Sequence, residues 1–177
     1  MVDFFYALIT IAGIILGYYL GIRREKIRQS LIVRSQMLDP IDKWLSGAEE
    51  MVGILSDTIV AISQGLSRPT MYDMDERKQA AKSMSQQSNR LFGILKSDSL
   101  KTKQTAENSD ELNLVIRRID DTIKTQLLPL ELQIVSASNR NKPIDEHIER
   151  GMEIKTDIDE LLQRAHELIS RIRRALT

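Results

Sequence analysis

The chain has no cysteine and only two histidines, so it lacks most of the side chains that perform catalysis or bind metals. Without a thiol there is no disulfide framework, thiolate nucleophile or cysteine-ligated metal, which fits a reducing compartment. The histidines, His147 and His166, lack the Glu-x-x-His spacing of di-iron carboxylate bundles. No glycine-rich phosphate loop or serine–histidine–aspartate arrangement can be identified. The sequence therefore predicts a protein that is not an enzyme, without catalytic residues, cofactor or metal.

Aromatic residues are also scarce, and neither sign of charge is in excess. Aromatic side chains make up 5% of the residues, and 25 lysines and arginines balance 25 aspartates and glutamates. A nucleic-acid binder usually shows a basic domain or stripe together with aromatic side chains that stack on bases. We therefore expect no nucleic-acid partner.

One long uncharged run is present, over residues 4–22. A helix of that length rises about 1.5 Å per residue and would span the roughly 30 Å hydrocarbon core of a bilayer. Four basic residues follow the run: Arg23, Arg24, Lys26 and Arg28. By the positive-inside rule, this imbalance predicts an uncleaved single-pass anchor (residues 1–22) with its N-terminus outside and a cytoplasmic C-terminal domain. We expect a bacterial inner membrane as the location.

Three glycines, Gly13, Gly17 and Gly21, recur every four residues within this run. They form two overlapping GxxxG motifs on one helix face, where small residues let a second helix approach closely. The motif predicts packing against another transmembrane helix, either by self-association or by docking on another membrane protein. The alternative is that glycine is simply frequent in transmembrane helices.

The segment after the anchor, residues 23–38, reads as a basic helical stem beside the membrane. Its less polar residues recur at steps of three or four, as on one helix face. Asp39 and Pro40 interrupt the stem, because the residue before a proline is disfavoured in the α conformation. Either a break or a kink fits this dipeptide.

Beyond residue 40, apolar residues recur at alternating steps of four and three, the spacing of a seam packed in a bundle or coiled coil. The pattern predicts four helices, at about 40–66, 73–97, 108–139 and 143–176. Pro129 lies inside the third and predicts a kink near residues 125–129, because proline lacks a backbone N–H. The predicted fold class is all-α: a transmembrane helix followed by an antiparallel four-helix bundle over residues 39–177.

The seam of the last helix contains two residues that do not suit a core, Gly151 and Lys155. Glycine costs about 1 kcal/mol relative to alanine within a helix. A lysine on the seam must extend its ammonium to the bundle edge or find a partner. We consider both residues candidates for packing against another chain, with a lysine at the bundle edge as the alternative.

A second basic cluster lies at the end of the chain: Arg171, Arg173 and Arg174. An up-down-up-down bundle would bring this cluster back to the membrane beside Arg23, Arg24, Lys26 and Arg28. The two clusters together predict a patch that faces anionic lipid headgroups. The alternative is that the C-terminal cations only complement the helix dipole.

These features favour a membrane-anchored scaffold or accessory subunit that binds a protein partner through its bundle and associates in the membrane through the glycine face. One alternative is an oligomerising effector that perturbs or opens the membrane under control of the bundle. Another is a small-ligand sensor with its site in the bundle core. The bundle could close within one chain or be completed by a second copy, because the second helix has a thin seam.

Overall fold

The structure of the protein is a computed structural model that describes residues 17–29, 32, 36–64, 71–97, 105–140 and 142–176. Within these ranges every regular element is a helix, and the fold class is all-α. The helices are α1 (Asp39–Ser63), α2 (Met71–Leu95), α3 (Ala106–Thr122), α4 (Leu128–Asn139) and α5 (Asp145–Leu176). A π-helical turn, Ile123–Leu127, joins α3 to α4 without a loop. Residues 17–29 are helical as well. The helix ends differ from the predicted ones by at most three residues.

The predicted membrane anchor requires correction. Among the helices of the described ranges, none is both long and apolar enough to cross a bilayer. The described part of the uncharged run is short, residues 17–22, and the same helix continues into the exposed charged residues 23–26. This finding overturns the single-pass anchor, the outside N-terminus, the cytoplasmic placement of the C-terminal domain and the inner-membrane location. Residues 4–16 of the predicted span lie outside the described residues.

The helices of residues 39–63, 71–95, 106–139 and 145–176 form four antiparallel legs arranged in a ring, in which α3, the π turn and α4 together make one leg. α1 packs against α2 and α5, and α3 packs against the same two helices. Arg173, near the end of α5, pairs with Asp42, near the start of α1. At the other end of this helix pair, Gly151 lies against Ile59. α1 and α5 therefore run in opposite directions along their whole shared length.

Two further contacts show the direction of α3 relative to its neighbours. The Arg117 guanidinium lies 4.5 Å from the centre of the Phe92 ring, which joins the middle of α3 to the end of α2. Arg164 of α5 donates hydrogen bonds to Glu111 Oε1 from Nε at 2.8 Å and from Nη2 at 2.6 Å. These hydrogen bonds raise the pKa of Arg164 above its ordinary value. Ser88 of α2 also lies near Asp120 of α3, and Gly151 of α5 lies near Leu130 of α4. The leg formed by α3 and α4 is therefore antiparallel to both α2 and α5.

The core of the bundle is built from the apolar seams of the legs. α5 shows this best, since its buried apolar residues recur at steps of three and four: Ile154, Ile158, Leu162, Ala165, Ile169, Ile172 and Leu176. On α1 the corresponding residues are Ile41, Leu45, Ala48, Val52, Leu55 and Ile59. Full burial of one leucine or isoleucine side chain stabilises a fold by about 1.5–3 kcal/mol. The paired seams of α1 and α5 therefore contribute a large part of the stability.

α2 is held differently, because several of the residues it presents to the core are small or polar. Ala81 and Ser88 are buried, and Ser85 is half-buried. The Ser88 hydroxyl donates to Asp120 Oδ2 of α3 at 3.4 Å, and the same oxygen receives Lys124 Nζ at 2.5 Å. α2 is therefore attached partly through hydrogen bonds and charge pairs, and its contacts with α1 leave open space between the two helices.

The π turn lies where the sequence predicts a distortion around Pro129. The Leu128 N–H donates to the carbonyl oxygen of Ile123, five residues earlier, instead of the usual four. Pro129 follows directly, in the first turn of α4, and has no N–H to donate. A π turn contains one residue more than an α-helical turn, and this wider turn leaves room for the pyrrolidine ring of Pro129. The helices α3 and α4 therefore continue as one leg. That extra residue also rotates α4 relative to α3.

Candidate functional site: the groove between α1 and α2

A groove of about 460 Å³ lies between α1 and α2. Small residues on both helices create it: Gly47 on α1 and Ala80 on α2. A methyl group at Gly47 would lie 3.8 Å from the sulfur of Met84, an ordinary van der Waals distance, so the Met84 side chain packs next to this glycine. The lining residues are Gly47, Glu50, Met51, Ile54, Glu76, Arg77, Ala80 and Met84. We call this surface the α1–α2 groove.

The floor of the groove is apolar, and a buried tryptophan is hydrogen-bonded to the backbone of one of its residues. Met51, Ile54 and Met84 provide apolar side chains. The indole of Trp44 is 2% exposed, and its Nε1 donates a hydrogen bond to the carbonyl oxygen of Met84 at 2.9 Å. Methionine side chains are unbranched and adapt to surfaces of different shape. The floor therefore combines a fixed backbone with adaptable side chains.

The rim of the groove carries two carboxylates, one on each helix. Glu50 of α1 and Glu76 of α2 are both exposed. Within the described ranges, neither forms an ion pair or a hydrogen bond through its side chain. The rim is therefore acidic on both sides of an apolar floor.

A buried ion pair closes the groove beside Glu76. Arg77 of α2 pairs with Glu131 of α4, and its Nη2 donates to the Thr58 hydroxyl of α1 at 3.2 Å. Glu131 is 1% exposed and Arg77 is 16% exposed. Because a buried carboxylate requires an opposite charge nearby, this pair holds α2 and α4 together, and Thr58 attaches α1 to both. The separation of α1 and α2 is thereby set at this end of the groove.

The predicted glycine motif is only partly within the described residues. Gly17 and Gly21 lie in the helical segment 17–29, and a methyl group added at either position would meet no atom within 4 Å. Gly13 lies outside the described residues. Helix packing through these glycines stays a prediction, although its membrane setting has been overturned.

Gly151 and Lys155 have neighbours within the same chain. A methyl group at Gly151 would lie 3.1 Å from Ile59 Cδ1 and 3.5 Å from Leu130 Cδ2, so the glycine allows α1 and α4 to approach α5 closely. Lys155 is half-buried and pairs with Asp159 one turn further along α5. Packing of another chain on these two residues stays a prediction, and the structure brings neither of them to the α1–α2 groove.

The basic residues predicted to face lipid are in two places. Arg23, Arg24, Lys26 and Arg28 are exposed on the helical segment 17–29. Arg171 and Arg174 are exposed near the end of α5, where Arg174 Nε donates to the carbonyl oxygen of Ser170 at 3.2 Å. Arg173 is half-buried, and its pairing with Asp42 joins α5 to α1. Arg173 therefore contributes to the bundle, and the lipid-facing role of the cluster stays a prediction.

Sequence reasoning missed the α1–α2 groove and the Arg77–Glu131 pair. The sequence did indicate that Arg77 lies on the core face of α2, because this residue falls on the four-three seam of α2 between Met74 and Ala81. Glu131 lies next to the buried residue Leu130, and the extra residue of the π turn rotates it into the core. A seam position that carries an arginine is therefore a useful marker of a buried partner.

Comparison of the chain with protein-family models, with curated proteins and with solved structures gave no match. In the described ranges, no group of three or more carboxylate or imidazole side chains is placed to hold a metal ion. The shape and charge of the α1–α2 groove are therefore the features that indicate a function.

Proposed function

We propose that this protein is a helical adaptor that binds one amphipathic helix of a partner protein in the α1–α2 groove. The partner helix presents apolar side chains to the floor and carries lysine or arginine on its flanks. The observation that supports this proposal best is the combination of an apolar floor with an exposed, unpaired carboxylate on each side.

The shape of the groove suits a helix. Two antiparallel helices form its walls, and its lining on α1 extends from Gly47 to Ile54, about 10 Å at the rise of an α-helix. An amphipathic helix can fill such a groove with side chains spaced three or four residues apart. Met51 and Met84 can adjust to the side chains that enter. The groove therefore suits about two turns of a helix.

The charges determine which kind of helix is favoured. Glu50 and Glu76 attract basic flanks and repel acidic ones, which increases the association rate and the specificity. Each exposed pair adds only about 0.2–1 kcal/mol. Most of the affinity therefore comes from the apolar floor, while the rim selects a basic partner.

The sole tryptophan of the chain provides a direct test. Trp44 is hydrogen-bonded to a residue that lines the groove, so its fluorescence should respond to occupation of the groove. The probe is a tryptophan-free amphipathic peptide of about 18 residues, with leucine on one face and lysine on the other. We expect a saturable change in Trp44 emission with a Kd of about 1–100 μM. A matched peptide with glutamate in place of lysine should bind at least about tenfold more weakly, a difference of about 1.4 kcal/mol.

Charge-reversal variants locate the binding site. The double variant Glu50→Lys and Glu76→Lys should bind the leucine–lysine peptide at least about tenfold more weakly than the native protein. The matched control is Glu149→Lys with Glu153→Lys, two exposed positions on α5, which should bind as the native protein does. The proposal fails if emission does not respond, if both variants lose affinity equally, or if the acidic peptide binds equally well. Displacement of the peptide by a small apolar compound alone would favour the ligand-sensor alternative.

A further inference from the structure

The opposite flank of α2 carries a second concave surface with the opposite charge. It is a cleft of about 300 Å³ between α2, the π turn and the start of α4. Its lining residues are Lys78, Ala81, Lys82, Ser85, Lys124 and Leu128. We call this surface the lysine cleft. It shares no lining residue with the α1–α2 groove.

The three lysines reach the cleft from two legs of the bundle. Lys78 and Lys82 are one turn apart on α2, so their like charges lie on the same face of the helix. Lys124 approaches from the π turn, across the cleft. Like charges at this spacing destabilise a helix, and bringing a third ammonium to the same cleft adds to that repulsion. An anion bound among them would remove it.

Two of the lysines already have a carboxylate on their own leg. Lys124 Nζ lies 2.5 Å from Asp120 Oδ2, and Lys78 Nζ lies 3.3 Å from Asp75 Oδ1. Lys82 is exposed, and in the described part of the chain no carboxylate pairs with it. The three ammonium groups therefore exceed the two carboxylates by one positive charge, and that charge is on Lys82.

The remaining polar group of the cleft is a hydroxyl. Ser85 Oγ is 3.5 Å from Asp120 Oδ2, a long contact to an oxygen that also receives Ser88 and Lys124. The Ser85 hydroxyl can rotate and donate to an anion in the cleft, because Asp120 Oδ2 keeps the ammonium of Lys124 at 2.5 Å. Ala81 and Leu128 provide apolar surface next to these donors.

We infer that the lysine cleft binds the phosphate group of a small organic phosphate ester. A phosphate has several acceptor oxygens and carries more than one negative charge near neutral pH, which suits convergent ammonium groups and a hydroxyl. The volume is at the lower end of the range for small-molecule pockets, so the organic part is small and packs on Ala81 and Leu128. This inference does not depend on the proposed function.

Two probes test the inference: inorganic phosphate and phenyl phosphate, each titrated into the full chain at constant ionic strength. Backbone amide shifts in the ¹H–¹⁵N NMR spectrum report binding. We expect saturable shifts confined to residues 78–85 and 124–128, with tighter binding of phenyl phosphate because its ring packs on the apolar wall. Shifts spread over all exposed lysines, or shifts that do not saturate, would overturn the site.

Lys82→Gln is the decisive variant, since Lys82 has no partner in the described structure whose loss would disturb the fold. It should weaken phenyl phosphate binding at least about tenfold, whereas the control Lys43→Gln, an exposed lysine of α1, should leave it unchanged. Circular dichroism verifies that both variants keep the native helix content. Unchanged affinity in Lys82→Gln, or an equal loss in Lys43→Gln, would show that the cleft is not the site.

Discussion

Trp44 and Met84 are forty residues apart, yet the indole Nε1 of Trp44 donates a hydrogen bond to the backbone carbonyl oxygen of Met84 at 2.9 Å. The bond joins the first turns of α1 to the middle of α2. Because Met84 lines the α1–α2 groove, the bond fixes the backbone of one of its lining residues. One buried donor therefore links the stability of the bundle to the shape of its candidate binding surface.

Replacement of Trp44 by phenylalanine should measure this link. Trp44→Phe keeps an aromatic ring in the core but removes the donor, and the net value of such a bond is about 0.5–1.5 kcal/mol. With the lost volume of the indole, we expect the free energy of unfolding to fall by about 1–2 kcal/mol. Urea denaturation followed by far-ultraviolet circular dichroism measures the change. A variant as stable as the native protein would show that the bond contributes nothing.

Breaking the Arg77–Glu131 pair should lower the free energy of unfolding strongly, whereas replacing both residues with apolar ones should not. Glu131→Gln leaves the largely buried Arg77 without a compensating charge, and we expect a loss of about 3–5 kcal/mol in the free energy of unfolding. The double variant Arg77→Met and Glu131→Leu removes both charges and should recover most of that loss.

Asp159→Asn is the matched control for this experiment, because it breaks the more exposed Lys155–Asp159 pair. It should cost less than about 1 kcal/mol. Denaturant titration of the four proteins provides all the values. A double variant no more stable than Glu131→Gln alone would contradict the idea that the uncompensated charge causes the loss.

Gly151 should tolerate no large side chain. Leucine at this position would collide with Ile59 and Leu130, which a methyl group alone would approach within 3.1 and 3.5 Å. We expect Gly151→Leu to lower the free energy of unfolding by at least about 2 kcal/mol through overpacking. Gly93→Ala is the comparison, because a methyl group there meets no atom within 4 Å. It should stabilise the protein by about 1 kcal/mol. Thermal unfolding of both variants tests the contrast, which would fail if Gly151→Leu were as stable as the native protein.

Ser109 has a buried hydroxyl for which the described residues provide no hydrogen-bond partner. Its removal in Ser109→Ala should therefore raise the free energy of unfolding by about 1 kcal/mol, since alanine has no polar group to desolvate and is the better helix former. Ser88→Ala is the matched control, because the Ser88 hydroxyl donates to the carbonyl oxygen of Ser85 at 2.8 Å and lies 3.4 Å from Asp120 Oδ2. It should lower stability by a similar amount. Chemical denaturation of both variants measures the two changes. A loss of stability in Ser109→Ala would show that the hydroxyl of Ser109 is hydrogen-bonded in the native protein.

Local patterns in the sequence indicated the helices and one irregular turn of this fold. The four-three spacing of apolar residues located every leg of the bundle, because burial of one helix face requires that period. Pro129 indicated the place of the irregular turn, although the form of that turn was not predicted. The uncharged run at residues 4–22 led to the wrong conclusion. Its apolar composition was read as a membrane span, whereas no helix of the described ranges is both long and apolar enough to cross a bilayer.

The sequence by itself determined the helices, their approximate ends and the residues of their apolar seams, since these depend on neighbours three or four positions apart. Only the tertiary structure decided which helices are adjacent, and therefore which side chains meet. Arg77 and Glu131 are remote in the sequence, and they pair because α2 packs against the leg that the π turn has rotated. The α1–α2 groove is likewise a property of two facing surfaces. Gly47 and Ala80 line the same groove only because α1 packs against α2, and no local pattern contains that information.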